Sequence, residues 1–209
     1  MNLEELDKTI SFIYNKFTLI NNQWKRQKNY DELNMKKNKV KDILTNNKIS
    51  SIIYNYHSYL FSLYNEFLAE SEHLTLNNNL ELRLKNYNSL QDKVNRYCLY
   101  EKHEYGEIPI NKCINDILGF RLIFNQEVDF KMIRKYIHNK YKDLVCIDSS
   151  KDGYIATHIY FTKFDNYNFR WELQLWNKKD EKNNKECHEK YKQEYTTYET
   201  EIEEDEVYG

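Results

Sequence analysis

In Trp171-Glu172-Leu173-Gln174-Leu175, apolar and polar side chains alternate. Side chains of a strand leave alternately to its two faces, so the pattern predicts a strand with Glu172 and Gln174 on one face and Leu173 and Leu175 on the other. Upstream, Asn115-Asp116-Ile117-Leu118-Gly119-Phe120-Arg121 places an acid just before a second apolar strand, Phe120 to Phe124. Two acids brought together by neighbouring strand ends can hold a hard cation such as Mg²⁺, which takes oxygen ligands. Taken alone, the pair also fits a solvated Glu172 beside Arg170 and an Asp116 that caps a turn.

The surrounding pattern sets the fold class. Leu3, Leu6, Ile10, Ile13, Phe17, Ile20 and Trp24 recur at helical spacing and predict an amphipathic helix. A turn and a second, weaker helix follow over Lys25 to Asn47. Ser50 is the expected cap of a long helix through Phe67, broken over Thr75 to Asn79. From Leu80 the spacing changes to alternation, with Leu80, Leu82 and Leu84 opposite Glu81, Arg83 and Lys85. A helix over Asn88–Tyr97, a short one over Ile110–Leu118, a strand at Phe120–Phe124 and a helix near Asp129–Asn139 come next. Strands are expected at Leu144–Ile147, Tyr154–Lys163 and Phe169–Trp176, the last two forming a hairpin, and a helix over Lys182 to Tyr195 closes the domain. The resulting class is α+β, a mixed sheet of about five strands flanked by helices with an N-terminal helical layer. The expected division is 1–79 helical region, 80–195 sheet domain and 196–209 acidic tail.

Charge narrows the partners. From Gln193 onward there are seven acidic residues and no Lys or Arg, which leaves 31 basic against 26 acidic side chains in the preceding residues. That small surplus suits a phosphate-rich small substrate better than wrapped DNA, which needs a broad basic face. The sequence has no apolar run long enough for a bilayer span and no signal-peptide core, so no membrane partner is expected. Cys98, Cys113, Cys146 and Cys187 form no close pair, which indicates neither a zinc knuckle nor a disulfide framework and fits a reducing cytoplasm.

Arg83 and Lys85 leave one face of a strand, and Ser89 and Lys93 lie one turn apart on the next helix. Cations on a strand end and on the helix that follows can cradle phosphates, the guanidinium as a fork and the ammonium as a point charge. A solvated lysine-rich face gives the same spacing. Neither a P-loop nor a dinucleotide-binding glycine pattern occurs. His57, His73, His103 and His138 have no motif around them and receive no role.

Five blocks together resemble the synthetase domain of the RelA/SpoT family. They are Arg83-Leu84-Lys85 with Ser89 and Lys93, Asp116 to Arg121, Gly153-Tyr154-Ile155-Ala156-Thr157-His158, Glu172-Leu173-Gln174, and Cys187-His188-Glu189-Lys190-Tyr191-Lys192. The resemblance covers residues 80–192 and implies a nucleotidyltransferase-like mixed sheet. It further implies Mg²⁺-dependent transfer of the ATP β,γ-pyrophosphate to the 3′-hydroxyl of GDP or GTP. Asp116 would then be a magnesium ligand, and Glu172 a ligand or the group that deprotonates the hydroxyl. Arg83, Lys85, Ser89 and Lys93 would hold ATP phosphates, with Arg121, and with it Arg83, packing on adenine. Tyr154 would stack on guanine, His158 and Gln174 would support the acceptor, and His188 and Lys192 would belong to the closing helix.

The sequence departs from the family on the acceptor side. Trp176 and Asn177 stand where an Arg and a Thr are usual, Lys178 to Asn184 replaces a polar-aromatic motif, and Ser149-Ser150-Lys151-Asp152 replaces a Pro-Lys segment. Two alternatives follow: a toxin that pyrophosphorylates the 3′-CCA end of tRNA, and an inactive interaction module. A homo-oligomer or an antitoxin protein is a possible partner in either case.

Overall fold

β5, Trp171–Asn177, is the central strand of a five-stranded mixed sheet in the order β1-β2-β5-β4-β3. The other strands are β1 (Leu80–Leu84), β2 (Leu118–Phe124), β3 (Leu144–Asp148) and β4 (Thr157–Phe161). β2 and β5 run parallel and every other pair is antiparallel. The computed structural model describes residues 3–27, 33–78, 80–162 and 165–190, the side chains of 73–78 excepted. The fold is α+β with helices flanking the sheet, as the alternating pattern predicts.

Register aligns the polar positions into rungs. One rung runs Arg83, Gly119, Glu172, Tyr160 and Val145; the next runs Glu81, Arg121, Gln174, His158 and Ile147. Because strand side chains alternate, all of these leave one face. The intervening residues, among them Leu82, Phe120, Leu173 and Ile159, face the main core.

The core face is covered by the N-terminal helices. α1 (Leu3–Lys25) buries Leu6, Ile10, Ile13, Phe17, Ile20 and Trp24, one stripe at 3.6-residue spacing. Fully burying each such aliphatic or aromatic side chain is worth roughly 1.5–3 kcal/mol, which makes α1 part of the sheet's support. Phe17 meets Trp171 edge-on at 5.6 Å, and the Trp171 indole N–H donates to the Tyr56 hydroxyl at 3.0 Å. Asp7 accepts from Tyr136 and Tyr141, both at 2.7 Å, and so ties α1 to α6 (Phe130–Lys140) and the residue that follows it.

Several boundaries differ from the sequence reading. The weak helix before Asn47 is one turn, α2 (Asp42–Thr45), and α3 runs the full length Asn47–Asn78, past the expected break. Asn46 rather than Ser50 caps α3: its Oδ1 accepts from the amides of Lys48 (3.0 Å) and Ile49 (3.4 Å). α4 (Tyr87–Leu99) starts at Asn86, whose side chain accepts from the Asn88 amide. The short helix α5 (Ile110–Cys113) ends before the expected Leu118, because the chain must turn through Asn115-Asp116 to enter β2.

Tyr154 lies outside β4. Asp152 (φ 50°) and Gly153 (φ 88°) make a left-handed turn closed by a Lys151–Tyr154 bridge, and the ladder resumes at Thr157. A helix over 181–190, α7, is sewn to this turn: Asn184 accepts from the Ile155 amide (2.8 Å) and donates to the Ile155 carbonyl (2.9 Å). No helix among the described residues is long and apolar enough to cross a membrane.

Candidate functional site

The polar face of the sheet opens between β1 and β5 as a cleft of about 500 Å³ including its open mouth, lined by Glu81, Arg83, Lys85, Asp116, Gly119, Arg121, Glu172 and Gln174 among others. Six of the residues singled out by sequence therefore share one cavity. Its floor is Gly119, between Arg83 and Glu172 in register; a Cβ there would meet only the Arg83 carbonyl, at 3.8 Å. The glycine is needed for room above it rather than for backbone freedom.

At one end Lys85 and Lys93 hold Asp116. Lys85 Nζ lies 2.7 Å from Oδ2 and Lys93 Nζ 3.0 Å from Oδ1, and Lys93 also donates to Asn115 Oδ1 at 3.0 Å. The three side chains are only 14–24% exposed. Burial alone would raise the Asp116 pKa, but the charges of Lys93 and Lys85 outweigh it and hold the carboxyl well below its usual range. Burial, with Lys93 and Arg83 nearby, lowers the Lys85 pKa against the pull of Asp116, whereas at Lys93 the Asp116 charge overcomes burial and the pKa rises. Lys85 follows β1 directly and its amide continues the ladder to the Ile117 carbonyl (3.0 Å), so backbone pairing sets its position. From α3, His57 Nε2 donates to the Lys85 carbonyl at 2.8 Å; no motif around His57 reveals that role.

Glu172 is buried in the middle of the face, 6% exposed. His158 Nδ1 lies 2.9 Å from its Oε1, and Gln174 Nε2 donates to Oε2 at 2.8 Å. Burial pushes its pKa up, but these hydrogen bonds win and hold it below the ordinary value despite the nearby Asp116 charge. Gln174 is fixed by its other end, where Oε1 accepts from Arg121 Nε (3.2 Å) and Nη2 (3.1 Å). Arg121 Nη1 donates to Glu81 Oε2 at 2.9 Å, and the guanidinium lies 3.7 Å over the Trp176 ring. The Trp176 indole N–H donates to the Tyr154 hydroxyl (3.1 Å), which lies 2.9 Å from His158 Nε2. Contacts thus close a circuit from Arg121 through Gln174, Glu172, His158, Tyr154 and Trp176 back to Arg121. Trp N–H only donates and a carboxylate only accepts. Neutral His158 with its proton on Nδ1 satisfies every member: Tyr154 donates to Nε2 and Nδ1 donates to Glu172.

Tyr160 was not singled out by sequence. It pairs with Glu172 in register and lies 3.4 Å from His158 Nδ1; burial, then the Glu172 charge, pushes its pKa well above the usual value. Its signal was its spacing, two residues after His158 on an alternating strand. The departures at 176 and 177 also have structural reasons. Trp176 carries the circuit, and buried Asn177 accepts from the Val128 amide at 2.9 Å.

Ser89 is exposed one turn before Lys93, and Arg83 is exposed on the cleft rim. Tyr154 is 8% exposed, its ring in edge contact with those of His158, Trp176 and His188. Base stacking on Tyr154, which the resemblance implies, would take place beside His188, whose ring centroid lies 5.0 Å from that of Tyr154. Burial, then the charges of Arg121 and Arg83, pushes the His188 pKa down to about 4, and among the described residues its buried Nε2 has no hydrogen-bond partner. Lys192, the end of the closing helix and the acidic tail lie outside the described residues.

No family model and no curated protein matches the chain. Among solved structures, small alarmone synthetase 1 of Bacillus subtilis bound to its product pppGpp is similar at 21% identity. The match covers 54% of this chain and 61% of that one, with a TM-score of 0.37. Small alarmone synthetase 2 of the same organism is similar at 19% identity over 69% of this chain and 80% of its own, with a TM-score of 0.39. Synthetase 1 bound to AMPCPP is similar at 19% identity over 47% and 50%, with a TM-score of 0.31. The chain spans less than two thirds of the length of the first of these.

Proposed function

We propose that the protein transfers the β,γ-pyrophosphate of ATP to the 3′-hydroxyl of a guanine nucleotide, GDP or GTP. The observation that carries this reading is one cleft in which two ionised carboxylates, Asp116 and Glu172, stand among Arg83, Lys85 and Arg121, with Lys93 paired to Asp116. Phosphoryl-type transfer demands little of a protein beyond positioning and charge stabilisation, and this cleft is built for both. In the step, the acceptor oxygen bonds to the β-phosphorus, the bond to the oxygen bridging the α- and β-phosphates breaks, and AMP leaves with that oxygen. Glu172 takes the hydroxyl proton. His158 and Gln174 each hold one of its oxygens, so the carboxylate is fixed in place before the substrate arrives. Arg83, Lys85 and Lys93 meet the donor's phosphates, and the guanidinium of Arg121, fixed on Trp176, presents its other face to the adenine.

Among the described residues, no cluster of three or more His, Cys, Asp or Glu is placed to hold a metal ion. Mg²⁺ is commonly bound through one or two carboxylates completed by substrate phosphates and water, and two ionised carboxylates fit that mode. Asp116 and Glu172 are the residues that would hold it. When bound, the ion supplies neutralisation of the donor's phosphate charge.

The test is labelled ATP with Mg²⁺ and GDP, GTP or deacylated tRNA, with the products separated. Label on a guanine nucleotide is the expected result. Label on tRNA alone would replace the acceptor and keep the reaction; ATP left intact with all three would leave only an inactive binding module. Gly119→Val gives a second check, because its branched side chain enters the cleft while the strand tolerates it. The Michaelis constant for ATP should rise at least about tenfold, with thermal stability within about 1 kcal/mol of the parent. An unchanged constant would place ATP outside this cleft.

A further inference from the structure

β1 is an edge strand, paired to β2 on one side only. An unpaired strand edge leaves a row of backbone groups that something else must satisfy. Here α3 does so with side chains. Tyr64 donates its hydroxyl to the Leu82 carbonyl at 3.1 Å, and His57 Nε2 meets the Lys85 carbonyl at 2.8 Å. A carbonyl only accepts, so Nε2 carries the His57 proton. The spacing of the two contacts fits. His57 and Tyr64 are two helical turns apart, a rise of roughly 10.5 Å. Leu82 and Lys85 are three strand residues apart, roughly 10 Å. α3 therefore lies antiparallel along β1, in step with the carbonyls it covers.

Beyond Lys85 the chain turns a corner into α4, and His57 touches both sides of it. Its ring lies 5.6 Å from that of Tyr87, the first residue of α4. Tyr54, one turn earlier on α3, meets the same ring edge-on at 5.0 Å. Between Lys85 and Tyr87, Asn86 caps α4. Lys85 stands on the strand side of the corner and Lys93 on the helix side, and one carboxylate, Asp116, bridges them. Two ammonium groups repel, so their separation is set by the backbones that carry them and by that single counter-charge. None of the residues lining the cleft comes from α3, yet α3 grips the corner that relates the two cations. The fold depends little on this grip. β1 keeps its ladder to β2 and its leucines against the core without His57, and one hydrogen bond from a half-buried side chain adds little to folding. A misplacement of about 1 Å among groups that position a substrate, by contrast, can cost on the order of 10²-fold.

We propose that His57 is a positioning residue for the donor nucleotide, with Tyr64 as its second point of grip. From α3 it fixes the corner between β1 and α4, and so the spacing of Lys85 and Lys93 that the ATP phosphates require. The assignment rests on ATP occupying the cleft, as proposed above, and its test reads binding rather than turnover.

ATP affinity with Mg²⁺ is measured calorimetrically, without acceptor, in the parent, His57→Ala, His57→Gln, Tyr64→Phe and Tyr136→Phe proteins. His57→Ala should weaken ATP at least about tenfold. His57→Gln keeps an N–H donor in place of Nε2 and should bind within about threefold of the parent. Tyr136→Phe removes a hydrogen bond to Asp7 between α6 and α1, away from the corner, and should leave ATP within about twofold. If His57→Ala does not fold, Tyr64→Phe, which loses only a hydroxyl, carries the test, with ATP weakened about threefold. Unchanged ATP affinity in the variant that carries the test overturns the assignment. So does a His57→Gln protein as weak as His57→Ala, and so does a Tyr136→Phe protein that loses as much. A parent that binds no ATP rejects the donor cleft and the role of His57 with it. ATP binding that depends on His57 in a protein that transfers nothing would keep the positioning role and reject the reaction.

Discussion

Glu172→Gln is expected to reduce transfer by about 10²–10⁴-fold, the usual contribution of a positioned general base, while the fold survives. The circuit explains both halves of that result. A carboxamide at 172 keeps the shape but turns one acceptor oxygen into a donor. His158 absorbs the change by moving its proton from Nδ1 to Nε2, where the Tyr154 hydroxyl 2.9 Å away can accept. Gln174 cannot flip instead, because its Oε1 is held by two nitrogens of Arg121. The variant should therefore stay within about 1 kcal/mol of the parent, a melting shift of roughly 2–4 °C for a chain of this size. Single-turnover kinetics with thermal melting checks both; parent-like turnover would show that the proton goes elsewhere.

Asp116→Asn should behave differently, because its partners are charged. Lys85 and Lys93 each lose the carboxylate that compensates a mostly buried ammonium. Removing one member of such a cluster costs about 3–5 kcal/mol, so this variant should be markedly less stable as well as inactive. The pH dependence has a definite sign. The Asp116 pKa is depressed in the fold, so its contribution is present above the unfolded value of about 3.9 and is lost as pH falls through the folded value. Urea midpoints of parent and variant should be far apart at neutral pH and converge in strong acid. Equal midpoints at pH 7 would mean that the three charges are solvated independently.

The cleft was legible in the sequence because most of its lining lies on strands with a period of two. Once Arg83, Lys85, Arg121, Glu172 and Gln174 are assigned to strands, parity alone puts them on one face, and register brings them to one cleft. The surroundings of Tyr154 were not legible, because they depend on α7. The position of His188 over Tyr154 follows from Asn184 gripping the Ile155 backbone, a contact 29 residues apart that no local pattern encodes. His57 escaped for the same reason, reaching the Lys85 carbonyl from a helix 28 residues upstream. Among the helices, α1 announced itself by its apolar stripe. The extent of α3 did not, because Asn, Ser and Tyr dilute its stripe and its cap is an Asn one residue before its start.

The shared strand constrains how this protein can vary. Odd-numbered residues of β5, such as Leu173 and Leu175, face the core, while Glu172 and Gln174 face the cleft. One residue gained or lost between Arg170 and Glu172 would exchange the two sets, sending the carboxylate into the hydrophobic interior and leucines into the cleft. Chemistry here can drift only by substitution at alternate positions, since a change in length inverts the strand. Insertions and deletions are instead channelled to the connection before β5, Asp165–Asn168, and to the left-handed turn at Asp152-Gly153. Those two segments lie outside the strand ladder, so a change of length there leaves the register of the carboxylate-bearing strand in place.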